Sequence, residues 1–273
     1  SSSEHAASDS SAPKSRKENV RHTTQVGTNV RHPVKAASAG RTLSCERLCP
    51  LLLRRAMSRR DERLAKLNAQ APEWGAVEHL ETIPFGSRLR VERFRFKNGL
   101  ELLACEDRAA PVVAYHTFYK VGSRHEREGK TGLAHLFEHL MFNEVEGREP
   151  GEFDRKLEEA GAESNASTWL DWTHYEIAIP KDKLALVIGL EAERMARLVL
   201  RDPQVTSEKD VVANERRFRV EDDVEGSVSE LLWATAFTRH AYRWPTIGWM
   251  KDIEGFTTGD CEEFYETYYA PNN

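Results

Sequence analysis

The chain is poor in cysteine and has no long apolar run and no glycine-rich phosphate loop. Its 273 residues hold four cysteines, Cys45, Cys49, Cys105 and Cys261, too few and too scattered for a disulfide framework. A reducing compartment is therefore expected, with the cytoplasm slightly favoured. The longest apolar run near the start, Cys49 to Leu53, ends in Arg54-Arg55 and falls far short of the ~18–20 residues that a spanning helix needs. Neither a membrane span nor a signal peptide at Ser1 is expected, and no internal repeat is visible.

Charge is present but unevenly divided. Residues 1–60 hold 12 Lys/Arg against 4 Asp/Glu, a net of +8, whereas the remainder holds 27 against 40, a net of −13. The first 40 residues are rich in Ser, Ala, Thr and Asn, the composition of a disordered tail. Three readings of the tail stand: a transit peptide, a nonspecific tail, or sequence upstream of a start at Met57, the last two ranking above the first. The acidic remainder argues against a nucleic-acid partner. The expected division is a basic tail over 1–60, a lead-in linker over 61–88 and one domain over 89–273.

That domain contains His135-Leu136-Phe137-Glu138-His139. This is H-x-x-E-H, the inverse of the commoner H-E-x-x-H zinc signature. Histidines at i and i+4 lie on one helix face, one turn apart, so both imidazoles can reach a single ion. Glu138 lies about 100° around the helix from His139, beside the ion, where a general base for water is needed. Leu133, Leu136, Phe137, Leu140 and Met141 form an apolar stripe at helical spacing. A buried helix must satisfy its polar groups, and a metal satisfies two histidines at once. Satisfied core histidines are the competing reading.

Several segments from Phe94 to Asn273 carry a resemblance. Gly122-Ser123-Arg124 with Glu126 is followed by the run from Gly132 to Phe142. Asn165-Ala166-Ser167-Thr168 is followed by Asp171, Thr173 and Tyr175. Val211-Val212-Ala213-Asn214-Glu215-Arg216 comes next, and Phe264-Tyr265 precedes Tyr268-Tyr269-Ala270-Pro271-Asn272-Asn273. In this order they resemble the pitrilysin/insulysin family of M16 metallopeptidases, which includes the mitochondrial processing peptidases. The match is specific at family level and weak below it.

A catalytic zinc usually takes three protein ligands and water, and the two histidines supply two. Glu208, Asp210, Glu215 and Glu221 share the acidic helix after Thr206-Ser207, and composition does not choose among them. The resemblance picks Glu215, 76 positions after His139. Glu208 lies two turns earlier, about 10 Å along the axis, which suits it to orient a ligand histidine through its other ring nitrogen. Ser164 to Trp169 and Trp172 to Ile179 read as paired strands, and an ordinary hairpin is the simplest reading. The resemblance implies more: that the edge at Asn165 and Ala166 accepts the peptide substrate as an added strand.

The other histidines look ordinary. His116 sits in the apolar run Val112 to Tyr119 and is expected to be a hydrogen-bonded core residue. His125 and His174 are the remaining competitors for the metal, and neither has ligand spacing to a partner. His240 lies in a loop-like segment, with no catalytic role.

A coarse pass gives a hairpin around Asn98-Gly99, a third strand from Val112 to Tyr119 and the metal helix from about Lys130 to Phe142. A helix then runs from Pro150-Gly151 to Ala160, followed by the Asn165 hairpin and a helix over Lys181 to Leu200. Pro203 is expected to end that helix before a long helix from Ser207, with two further helices after it. Strands followed by a run of helices indicate α+β. The resemblance implies a two-layer α/β sandwich, incomplete at its C-terminal end.

The expected function is a zinc-dependent endopeptidase, with one zinc per chain held by His135, His139 and Glu215 and with Glu138 as base. Its partners would be a peptide or unfolded protein and a second M16-type domain or subunit, so that the 273 residues alone would hydrolyse poorly. One alternative is a non-catalytic M16-like partner subunit. Another is a binding domain with a structural zinc, disfavoured because such sites usually include Cys and none lies near His135.

Overall fold

The computed structural model describes residues 58–273, so the expected tail over 1–60 lies almost wholly outside the described residues, with Cys45 and Cys49. The span 61–88, expected as a linker, is structured. Helix α1 (Arg59–Asn68) opens with a capping box in which Ser58 Oγ accepts from Asp61 N and Asp61 Oδ2 accepts from Ser58 N. Strand β1 (Val77–Phe85) pairs with β2 (Leu89–Phe96), which pairs with β3 (Glu101–Cys105). Arg60 ties α1 to this sheet through Glu92 at 2.5 Å, and His79 shares the same carboxylate at 2.7 Å. The linker reading failed because Val77 to Phe85 has little hydrophobic alternation. Its pairing with β2 supplies what the pattern lacks.

The second sheet is antiparallel, in the order β4 (Val112–Tyr119), β6 (Thr173–Pro180), β5 (Glu163–Thr168). Thr173, Tyr175, Ile177 and Ile179 of β6 are buried against helices, while His174, Glu176 and Ala178 alternate toward the other face. The helices are α2 (Leu133–Leu140), α3 (Glu152–Glu159), α4 (Leu184–Arg197), α5 (Asp202–Arg216), α6 (Val224–Ala236), α7 (Met250–Glu254) and α8 (Thr258–Tyr268). A π-helical turn, Arg217–Glu221, follows α5. The expected α+β class holds, with strands and helices in two layers. One boundary was misplaced. Helix α4 does end before Pro203, at Arg197, but α5 starts at Asp202 rather than Ser207 and takes Pro203 into its first turn, since a proline there lacks only an N–H that would be unpaired anyway.

Helix α2 is the centre of the core. Leu133, Leu136, Phe137, Leu140 and Met141 are all buried, among Tyr119, Tyr175, Val212, Ile253, Phe264 and Tyr269. Burial of each such side chain is worth about 1.5–3 kcal/mol. Tyr175 Oη donates to Phe137 O at 3.1 Å, fixing α2 on β6. Helix α4 is held against the same strand by Arg194, fully buried, whose guanidinium lies 4.3 Å from the Tyr175 ring centroid and pairs with Glu191 at 2.5 Å.

The start of α2 is set by glycine and glutamate. Gly132 has φ +97, and a Cβ there would meet Ile247 O at 2.6 Å. Gly248 approaches from the other side, where a Cβ would meet Thr131 O at 2.3 Å. Only paired glycines let these backbones pass so closely. The Glu126 carboxylate then accepts from Gly132 N and Ala134 N, each at 2.8 Å, satisfying donors that the first turn leaves free. Burial pushes its pKa up to about 8, against those two bonds.

Replacing Glu126 with Ala is expected to leave two buried N–H groups unpaired, at about 1–3 kcal/mol each, measured by urea unfolding. A pH dependence follows. A carboxyl at about 8 in the fold and near 4.5 when unfolded binds its proton preferentially in the folded state between those values, so stability declines as pH rises through that window. Against Glu126→Gln, the wild type should lose stability from pH 5 to 8. Parallel curves would show Glu126 ionised throughout.

Candidate metal centre

Two helices bring the H-x-x-E-H residues and the downstream glutamate together. His135 and His139 project from α2 toward α5, where Glu215 sits one residue before the end of the helix. Glu215 Oε2 lies 3.5 Å from His135 Nε2 and 3.4 Å from His139 Nε2. Ligands on one tetrahedral ion with bonds of about 2.0–2.2 Å are about 3.3–3.5 Å apart, a spacing that both Glu215–histidine pairs have, and ligand atoms of the three residues all lie within 4.8 Å of one another. The donors, two imidazoles and a carboxylate, suit zinc. His135 Nδ1 is buried without a hydrogen-bond partner.

The electrostatics fit a cation. Burial pushes His135 down to about 4, so it stays neutral, the form that ligates. Burial also works against a charged His139, but Glu208 and Glu215 outweigh it and raise its pKa to about 9. The carboxylates thus favour positive charge at this point.

The neighbouring groups position the set. Glu208 Oε2 lies 3.5 Å from His139 Nδ1, and Glu208 Oε1 accepts from Asn143 Nδ2 at 3.0 Å. Glu208 therefore meets the ring nitrogen opposite the one that faces Glu215. Arg219, in the π-helical turn, reaches Glu215 Oε1 at 3.0 Å and leaves Oε2 to the histidines. Asp210 is exposed, and Glu221 pairs with Arg216 at 3.5 Å instead.

Glu138 flanks the cluster. Burial raises its carboxyl above the ordinary glutamate value, while Thr168 Oγ1 donates to its Oε2 at 2.6 Å. Thr168 belongs to β5, the strand that carries Asn165 and Ala166. On that strand Ala166 pairs with Tyr175 and Asn165 with Glu176, and among the described residues the far side of β5 is a sheet edge. Ala166 N donates to Asn165 Oδ1 at 2.9 Å.

Thr168, Asn143 and Arg219 had no role in the sequence reading. Two had a local signal, since Asn143 follows His139 by four residues and Arg219 follows Glu215 by four, the spacing of facing side chains on a helix. Thr168 had none, because only the fold sets β5 beside α2.

Two histidine expectations need correction. His116 is exposed rather than buried, because β4 alternates and its inward positions are Thr117 and Tyr119. His174 does have partners: cross-strand register brings it together with His116 and Glu176. Both lie on the sheet face away from α2. His125 Nδ1 accepts from Gly122 N at 3.1 Å and is outside the α2–α5 cluster.

Known proteins share this arrangement of segments. Residues 102–248 match the family described as insulinase, peptidase family M16. A zinc protease of Helicobacter pylori, PqqE, is 38% identical over 183 residues, covering 67% of this chain and 41% of its own. The crystal structure of a protease from H. pylori superposes with a TM-score of 0.65 at 36% identity, over 72% of this chain and 44% of that one. Pitrilysin shares the fold, with a TM-score of 0.63 at 22% identity over 72% of this chain and 22% of its own. The chain thus spans less than half the length of these relatives. With the match running over more than half of its residues and through His135, Glu138, His139 and Glu215, the chain belongs to the M16 (insulinase) peptidase family.

Proposed function

We propose that this chain carries the catalytic centre of a zinc-dependent endopeptidase. The observation that carries the reading is that Glu215 Oε2 lies 3.5 Å from His135 Nε2 and 3.4 Å from His139 Nε2, with ligand atoms of all three residues within 4.8 Å of one another and Glu138 alongside. These three residues would hold one zinc, and Glu208 would orient His139 from its Nδ1 side. When bound, zinc supplies a Lewis acid for a peptide carbonyl and makes water more acidic.

The protein's own groups supply the proton transfers. Thr168 occupies Glu138 Oε2, which leaves Oε1 to accept a proton from water and return one to the departing amine. The raised carboxyl pKa, caused by burial, moves Glu138 toward the working range of a general base. The peptide would add as a strand to the β5 edge at Asn165 and Ala166, held by backbone hydrogen bonds. Such binding favours extended substrates, peptides or unfolded protein, over any one sequence. The Asn165 side chain holds the Ala166 N–H until a peptide carbonyl replaces it.

A non-catalytic partner subunit is the second reading. It is disfavoured because a subunit without chemistry has no need of the four residues His135, Glu138, His139 and Glu215 in one cluster. A partner is nonetheless part of the proposal. Val224, Val228, Leu231 and Leu232 recur along one face of α6 and are all exposed, the kind of apolar patch that marks an interaction surface. A second M16-type domain or subunit would cover apolar surface of this kind and close the site.

The roles separate by substitution. Glu138→Gln should keep zinc while turnover falls about 10²–10⁴-fold, whereas Glu215→Gln should lower zinc content, as should His135→Ala and His139→Ala. Glu208→Gln should weaken zinc by about 10–100-fold, read by competition with a chelator. Undiminished zinc in both histidine variants would overturn the assignment.

Ala166→Pro removes an edge N–H while leaving the pairing with β6. Peptide affinity should fall with zinc content unchanged, and wild-type affinity in the folded variant would refute strand addition. Peptide hydrolysis by the 273 residues should rise on addition of a second M16-type domain, in cis or in trans. Full activity without it would exclude a closing partner.

A further inference from the structure

We propose that His116, His174 and Glu176 form a second transition-metal site, on the face of the β4–β6–β5 sheet opposite α2. In the β4–β6 register His116 stands opposite Glu176, and Phe118 stands opposite His174. On β4 the inward positions are Thr117 and Tyr119, and on β6 they are Tyr175 and Ile177. The three candidate ligands therefore alternate to the other face and meet there. Tyr175, between His174 and Glu176, turns the opposite way and donates to Phe137 of α2. The sheet thus separates this cluster from the His135–His139–Glu215 centre.

The distances are those of ligands close to one ion. His116 Nδ1 lies 2.9 Å from His174 Nε2 and 3.8 Å from Glu176 Oε2. All three ligand atoms are within 4.8 Å of one another. These values bracket the spacing of about 3.3–3.5 Å on a tetrahedral ion, and side-chain torsions of two half-exposed residues, His116 and Glu176, can close the difference. The histidines now share a hydrogen bond, so an ion would replace one proton between two nitrogens.

The ligands are also pre-positioned. The His174 ring stacks on Phe118 with centroids 4.1 Å apart and planes 10° from parallel, and it packs at 80° to the Trp172 ring with centroids 5.9 Å apart. That stacking limits the ring to few orientations, which lowers the entropy lost on binding. Strand-borne ligands hold their geometry better than loop-borne ones.

Two imidazoles, one carboxylate and an open side suit Zn²⁺ or Cu²⁺, Cu²⁺ binding more tightly by the general order of divalent affinities. Water or a ligand from another molecule would complete the shell. The ion would bridge β4 and β6, pinning the strand that supports β5. Asn165 of β5 stands opposite Glu176, so the site adjoins the edge assigned above to the substrate. The proposal does not depend on that assignment.

The test is metal stoichiometry by equilibrium dialysis against Zn²⁺ and then Cu²⁺. Three forms of the 273-residue chain are compared: wild type, His116→Asn with His174→Asn, and His135→Ala with His139→Ala. Two ions are expected in wild type and one in each double variant, with circular dichroism showing intact folds. A surface variant that binds as many ions as wild type would overturn the proposal, whatever the α2 variant does. Loss confined to the surface variant would support it even if the α2 assignment failed. A second measurement needs no variant: the ring-proton resonances of His174 in the wild type should shift on Zn²⁺ addition. Unmoved resonances at saturating Zn²⁺ would overturn it equally.

Discussion

Burial of α2 is the constraint on which the rest of the structure depends. This helix fills the centre of the core with Leu133, Leu136, Phe137, Leu140 and Met141, yet it also carries two histidines and a glutamate. A short helix of this kind is marginal alone and is stabilised chiefly by tertiary packing. The sheet supplies one wall through Tyr175, α8 another through Phe264, and α5 the wall against which the polar side chains must be satisfied. Gly132, Gly248 and Glu126 then fix where the helix begins, and that fixes the height of both imidazoles.

The polar side of α2 meets α5 in a graded arrangement of carboxylates. Glu215 faces Nε2 of both histidines, Glu208 faces Nδ1 of His139, and Arg219 restrains the second oxygen of Glu215. Burial makes charged histidines unfavourable while the carboxylates make a positive centre favourable. A cation shared by the three residues would relieve both pressures together. The same burial that holds His135 neutral raises the Glu138 carboxyl, so one desolvated region would serve both the ligation and the proton transfer proposed above.

The β4–β6–β5 sheet has different duties on its two faces and its edge. One face packs on helices through alternating residues of β6, and Thr168 at the end of β5 reaches Glu138. Among the described residues β5 is an outer strand, and its Ala166 N–H is held by the Asn165 side chain rather than by a further strand. The opposite face gathers His116, His174 and Glu176. Because side chains alternate along a strand, neighbouring residues of β6 serve unrelated surfaces.

The sequence by itself determined the H-x-x-E-H helix, its apolar stripe and the α+β class, because those signals are local: i and i+4 on a helix, alternation along a strand, an Asn-Gly turn. It left four acidic candidates for the third ligand, since a solvated helix face has the same composition as a liganding one, and only resemblance to a family singled out Glu215. It also misled at the start of α5, read at Ser207 where the helix opens at Asp202 and takes in Pro203, at 61–88, read as linker where β1 pairs with β2, and at His116, read as core where β4 turns it outward. Thr168 beside Glu138, Arg194 under Tyr175, and His116 beside His174 across 58 positions were decided by the tertiary structure alone. Contacts between distant segments depend on strand register and helix packing, and these are set by the burial of the whole core rather than by any run of neighbouring residues.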